Sequence, residues 1–158
     1  MSSKAVRNVV ALLLVAFAVF GTPSLPLQSP ADVVKEPSVE MKTQVRQVTK
    51  VASQMSAIDR LWLNYIYINA TKVVEADGVD SVITTTEGLR AVHVGILKFI
   101  WKGMAGNPPE KYEGLRSAIE QVFVSTMGDE RRPLTPSLRL KACEMFDAIA
   151  WAGLGKDE

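Results

Sequence analysis

From residue 41 to residue 73 the apolar side chains recur in alternating steps of four and three. They are Met41, Val45, Val48, Ala52 and Met55, then Trp62, Ile66 and Val73. This is the period of a helix with one buried stripe, and it excludes a strand, whose period is two. Val51, Ile58 and Tyr65 widen the stripe, and Lys42, Arg46 and Lys50 fall on the opposite face of the first half. The pattern predicts helix over about residues 39–76, long enough to break in two. Residues 61–68 are apolar nearly all round, which calls for cover by other elements or by a partner.

Three later segments share the period. Ala76-Asp77-Gly78 is a turn signal, and Thr84 with Glu87 has the spacing of a capping box. The helix that follows carries Leu89, Val92, Ile96, Ile100 and Met104, flanked by Leu97 and Trp101. A third helix carries Tyr112, Leu115, Ile119, Val122 and Phe123 and stops at Gly128. A fourth opens at Thr135-Pro136, a capping residue followed by proline at the first helical position. Its stripe is Leu138, Ala142, Met145, Ile149 and Ala152, with Phe146 beside it. Residues 79–83 suit a short extended piece, with no evident strand to pair with. The expected fold is all-α, a compact bundle of about four helices over residues 39–155.

The chain before the bundle has a different character. Lys4 and Arg7 precede an unbroken apolar run from Val9 to Phe20, and Gly21, Thr22 and Pro23 end it. These are the parts of a secretory signal peptide over residues 1–24, with a signal anchor as the alternative. Residues 9–21 would span only about 20 Å as a helix, short of a hydrocarbon core of about 30 Å, so length favours the signal peptide. Pro26, Pro30 and Pro37 make residues 25–38 a Pro-rich linker. The expected location is outside the cytoplasm, periplasmic or extracellular. If the leader is kept, the domain is anchored, and membrane contact is confined to residues 5–21.

The chain has 158 residues, and 18 basic side chains stand against 17 acidic ones. Two of the basic ones lie in the leader, so the rest is close to neutral and lacks the basic face that nucleic acid requires. Cys143 is the only cysteine, so no internal disulfide forms. It sits next to the last apolar stripe, which predicts burial.

No motif for catalysis, metal or cofactor is present: no phosphate-binding glycine loop, no nucleophile elbow, no Cys-x-x-Cys. A calcium loop counted from Asp77 fails at its third, fifth and sixth positions, and no metal or cofactor is expected. Four polar residues are candidates for a polar core or pocket. His93, the only histidine, falls on or beside a buried face, where a hydrogen-bonded core role is commonest. Asp59 takes a place in the apolar stripe, so a cation from a neighbouring helix is expected beside it, with Arg90, His93 and Arg139 as candidates. Trp62, Tyr65, Tyr67 and Trp101 are candidates for an interaction surface. Asn69-Ala70-Thr71 matches a glycosylation acceptor but lies within a helix.

These features imply an exported helical protein that acts through contact with a protein partner. The alternative is a small enzyme or ligand carrier with an inter-helix pocket built on Asp59 and His93.

Overall fold

The computed structural model describes residues 34–76, 83–103 and 109–155. The leader, residues 25–33 of the linker and the turn at 77–82 lie outside the described residues. Six helices occur among them: α1 Val39–Gln44, α2 Arg46–Ala52, α3 Ala57–Ala76, α4 Thr86–Gly103, α5 Pro109–Met127 and α6 Pro136–Ala152. None of the described residues forms a strand, and the all-α expectation holds for them.

The first helical pattern breaks twice. Ser38 caps α1, its Oγ accepting from the Met41 N–H at 3.3 Å. Val45 then leaves helical geometry (φ −96°, ψ 6°), yet its N–H still reaches Met41 and its carbonyl accepts from Thr49. The second break is complete. The N–H groups of Gln54 and Met55 bond back three residues, to Val51 and Ala52, which tightens and ends the last turn. Ser56 starts α3: its hydroxyl accepts from the Asp59 N–H at 3.2 Å and donates to the Asp59 carboxylate at 2.8 Å.

That break resets the helical phase. Met41, Val45, Val48, Ala52 and Met55 are buried as their spacing predicts. After it, Ile66 is still buried, but the other inward residues, Leu63, Tyr67, Ala70 and Val74, lie one position on from the extrapolated stripe. Asp59 and Trp62 move off the buried seam, and both are half-buried.

The last helix is the centre of the packing. Thr135 Oγ1 accepts from the Leu138 N–H at 3.2 Å, and Pro136 occupies the first turn. From Ala148 to Ala152 every residue of α6 is buried, so this end is enclosed on all sides. It contacts α1, α2, α3 and α5, and its pairing with α3 is the most extensive in the molecule. Small residues allow that approach. Asn64 Nδ2 donates to the Ala150 carbonyl at 2.9 Å, and a Cβ on Gly153 would stand 3.2 Å from Leu63 Cδ2. Each fully buried Leu, Ile or Phe in this core contributes roughly 1.5–3 kcal/mol through removal from water.

The loops before α4 and α6 hold each other. The Thr86 N–H donates to Arg132 O at 2.9 Å and the Leu134 N–H to Thr84 O at 2.8 Å, with Thr85 opposite Pro133 in one antiparallel bridge. Thr86 Oγ1 adds a bond to Glu130 O and accepts from the Arg132 N–H, both at 2.9 Å. The extended piece expected at 79–83 lies, but for Ile83, outside the described residues. The cap of α4 shifts: Thr85 Oγ1, not Thr84, accepts from the Gly88 N–H at 3.0 Å.

Candidate functional site

Four helices each send one ring to the middle of the bundle: Tyr67 from α3, His93 from α4, Phe123 from α5 and Phe146 from α6. His93 stacks on Phe123 with ring centroids 5.1 Å apart, and Phe146 lies 5.5 Å away. Tyr67 Oη and His93 Nε2 share a hydrogen bond of 2.8 Å. Burial, with Arg90 adding to it, lowers the His93 pKa to about 3, and burial pushes the Tyr67 phenol well above its ordinary value. Both side chains are therefore neutral from mild acid to mild alkali. A base needs a route to its substrate, and His93 is buried, with only Phe123 of the cluster lining a surface hollow beside Arg90. The cluster's physical effect is register: a satisfied polar pair in an aromatic core fixes how α3 and α4 meet.

The expected pocket of Asp59, His93, Arg90 and Arg139 does not form. Asp59 lies at the start of α3, eight residues or about 12 Å along the axis from Tyr67. Its carboxylate bonds to Ser56. Arg90 pairs with Asp129 at 3.1 Å on the exposed surface. Arg139 reaches across the end of α3, donating to Val74 O at 3.2 Å and to Ile83 O at 2.8 Å. It ties the end of α3 to the chain at Ile83. Asp59 is half-buried rather than buried because the helical phase restarts after the Ser53–Ser56 break. The missed signal was Ser56-Ala57-Ile58-Asp59, the spacing of a capping box.

The expected interaction surface is also divided. Tyr67 is a core residue, fully enclosed. Trp62 and Tyr65 are half-buried on the outward side of α3, with Trp62 packed 5.7 Å from Phe99. The Trp101 side chain lies outside the described residues. Asn69 is buried with Nδ2 bonded to Tyr65 O at 2.8 Å, and its position inside α3 disfavours glycosylation.

The opening that the sequence did not reveal lies where α1, α3 and α6 meet. It is a cleft of about 530 Å³ lined by Lys35–Ser38, Met41, Thr71 and Glu75 on one side. Leu140, Cys143, Glu144 and Asp147 line the other. Those four α6 residues are spaced to share one helix face. Leu140 is 62% exposed, a large apolar side chain standing in the open wall. Cys143, expected buried, is half-buried here. Its thiol is pushed up to about 11, by burial first and then by Glu75, Asp147 and Glu144. Asp147 is raised by burial and by Glu75, while a hydrogen bond with Thr71 and the charge of Lys35 pull it down.

Outside the cleft the carboxylates fall into two groups, and among the described residues Glu40, Glu110 and Glu130 are exposed and make no ion pair. Glu87, Glu113, Glu120 and Asp129 have arginine partners, and Glu36 on the rim has Lys42. Among the described residues, Glu75, Glu144 and Asp147 make no ion pair. No group of three or more His, Cys, Asp or Glu side chains among the described residues is arranged to hold a metal ion. No helix there is long and apolar enough to cross a membrane. Compared with known proteins, the chain matches no family model, no curated protein and no solved structure, so any functional reading rests on this geometry alone.

Proposed function

We propose that the protein is an exported helical module that works by contact with another protein, using the cleft between α1, α3 and α6. The observation that carries this reading is the combination in one concavity of an exposed leucine and three carboxylates without ion-pair partners. An apolar side chain inside a concavity rimmed by polar groups fits the apolar centre and polar rim of contact surfaces. The leader of residues 1–24 supports a location outside the cytoplasm. The alternative of an enzyme or carrier built on Asp59 and His93 has less support, because Asp59 lies at the start of α3, about 12 Å along the axis from the Tyr67 that bonds His93.

One experiment addresses both halves of the proposal. The full chain is produced in its native cells with a photo-reactive residue at position 140 or, as a control, at exposed Ser125. The cells are fractionated after illumination. A discrete adduct from position 140 alone, recovered outside the cytoplasm or in the membrane fraction, is expected. Equal adducts from both positions, or none from position 140, overturn the contact surface. Recovery in the cytosol with residues 1–24 intact overturns the export reading.

A further inference from the structure

We infer that the cleft receives a basic segment of its partner, one that places lysine or arginine side chains around an apolar residue. The inference rests on the contact surface proposed above and adds the chemistry of what enters it.

Charge is the first constraint on the occupant. Glu75 comes from the last turn of α3, and Glu144 and Asp147 are spaced to share one face of α6. These three carboxylates face the single ammonium of Lys35 around the cleft, while the fourth, Glu36, is paired with Lys42. Like charges on facing helices disfavour the bundle, and nothing in the packing of α3 on α6 requires them. That pairing is held instead by Leu63, Ile66, Tyr67, Asn64 and the α6 alanines. The negative field acts on neighbouring groups, since the carboxylates raise the Cys143 thiol. A cation entering the cleft would relieve this repulsion.

Charge alone would suit any small cation. Leu140 narrows the choice. It projects one turn before Glu144 and shares its face, while Met41 and Pro37 line the opposite wall. An occupant that covers Leu140 needs an apolar group between its cations. A peptide segment offers a branched apolar side chain there, whereas a simple polyamine offers only thin methylene linkers. Complementary charge would guide the approach, and the covered leucine would anchor the bound state.

Cys143 supplies the readout. It is the only cysteine in the chain and lines the cleft, so an occupant there slows its alkylation. The full chain is mixed with a Lys-Lys-Leu-Lys-Lys peptide, a Glu-Glu-Leu-Glu-Glu peptide or spermine, and alkylation is followed by mass spectrometry. Protection by the lysine peptide alone is expected. Glu75→Gln and Glu144→Gln should each weaken it about two- to fivefold, the range of an exposed ion pair, and added salt should weaken it further. Leu140→Ser, at an exposed position, should weaken it without unfolding the chain.

Equal protection by spermine or by the acidic peptide overturns the inference. So does full protection in the Glu75→Gln/Glu144→Gln/Asp147→Asn variant, in which removal of repulsion leaves the fold at least as stable. If position 140 still captures a discrete partner in that variant, the contact surface stands and only the basic character of the partner falls.

Discussion

The closed histidine makes the stability of this protein depend on pH in a predictable window. In the unfolded chain His93 titrates near its ordinary value of about 6.5. In the folded protein it titrates at about 3. Between these values the unfolded state binds the extra proton, so stability is complete above pH 6.5 or so and falls as the pH falls. The loss is about 1.4 kcal/mol between pH 7.5 and 5.5, and about as much again by pH 4.5. Asp147 acts in the opposite sense at the acid end. Its folded carboxyl is raised, so the folded state takes up protons more readily there. The window from pH 7.5 to 5.5 therefore isolates the histidine. Urea midpoints followed by circular dichroism at each pH give the stabilities of the wild type and of Tyr67→Phe/His93→Leu. The double substitution removes both ends of the hydrogen bond, so no buried polar group is left without its partner. The wild type should lose the full amount, and the variant should be nearly flat. Parallel slopes for the two proteins would refute the assignment of His93 as neutral and sealed.

Two further substitutions test the links that position α3. Arg139→Leu removes bonds to Val74 O and Ile83 O, and a loss of about 1.5–3 kcal/mol is expected, with faster amide exchange at the end of α3. An unchanged urea midpoint would show that the clamp contributes nothing. Ser56→Ala removes the hydroxyl that caps α3 and should cost about 1 kcal/mol, read from the same midpoint; no change would mean the cap is idle.

Periodicity made most of the fold legible. The stripes Leu89–Val92–Ile96–Ile100, Tyr112–Leu115–Ile119–Val122 and Ala142–Met145–Ile149–Ala152 are buried as their spacing predicts, and Thr135-Pro136 starts α6. What the sequence concealed has a physical cause in each case. A stripe can continue by coincidence across a break, as at Ser53–Ser56, because three-and-four spacing survives where the chain has turned. A capping box one residue away looks much the same, as with Thr84 and Thr85. The alternation that signals a strand is invisible in a pairing only three residues long, as at Thr84–Thr86. The cleft was harder still. Glu75 and Glu144 are distant in sequence, and each alone reads as a solvated surface charge until α3 and α6 are placed side by side.

That placement separates two kinds of polar residue in this bundle. Tyr67 with His93, Asn64 with the Ala150 carbonyl, and Arg139 with Val74 and Ile83 each close a bond between parts of the chain. Each loses its purpose if the helices separate, so each is accounted for by the fold. Glu75, Glu144 and Asp147 differ: bringing α3 and α6 together sets them near one another, and the bundle itself supplies no ion pair. Their repulsion is a cost that the α3–α6 core must offset. A lysine in place of Glu144 would reduce that cost while leaving the core untouched, because residue 144 is exposed. The fold therefore tolerates this charge without requiring it, which makes the cleft a better place than the histidine cluster to look for function.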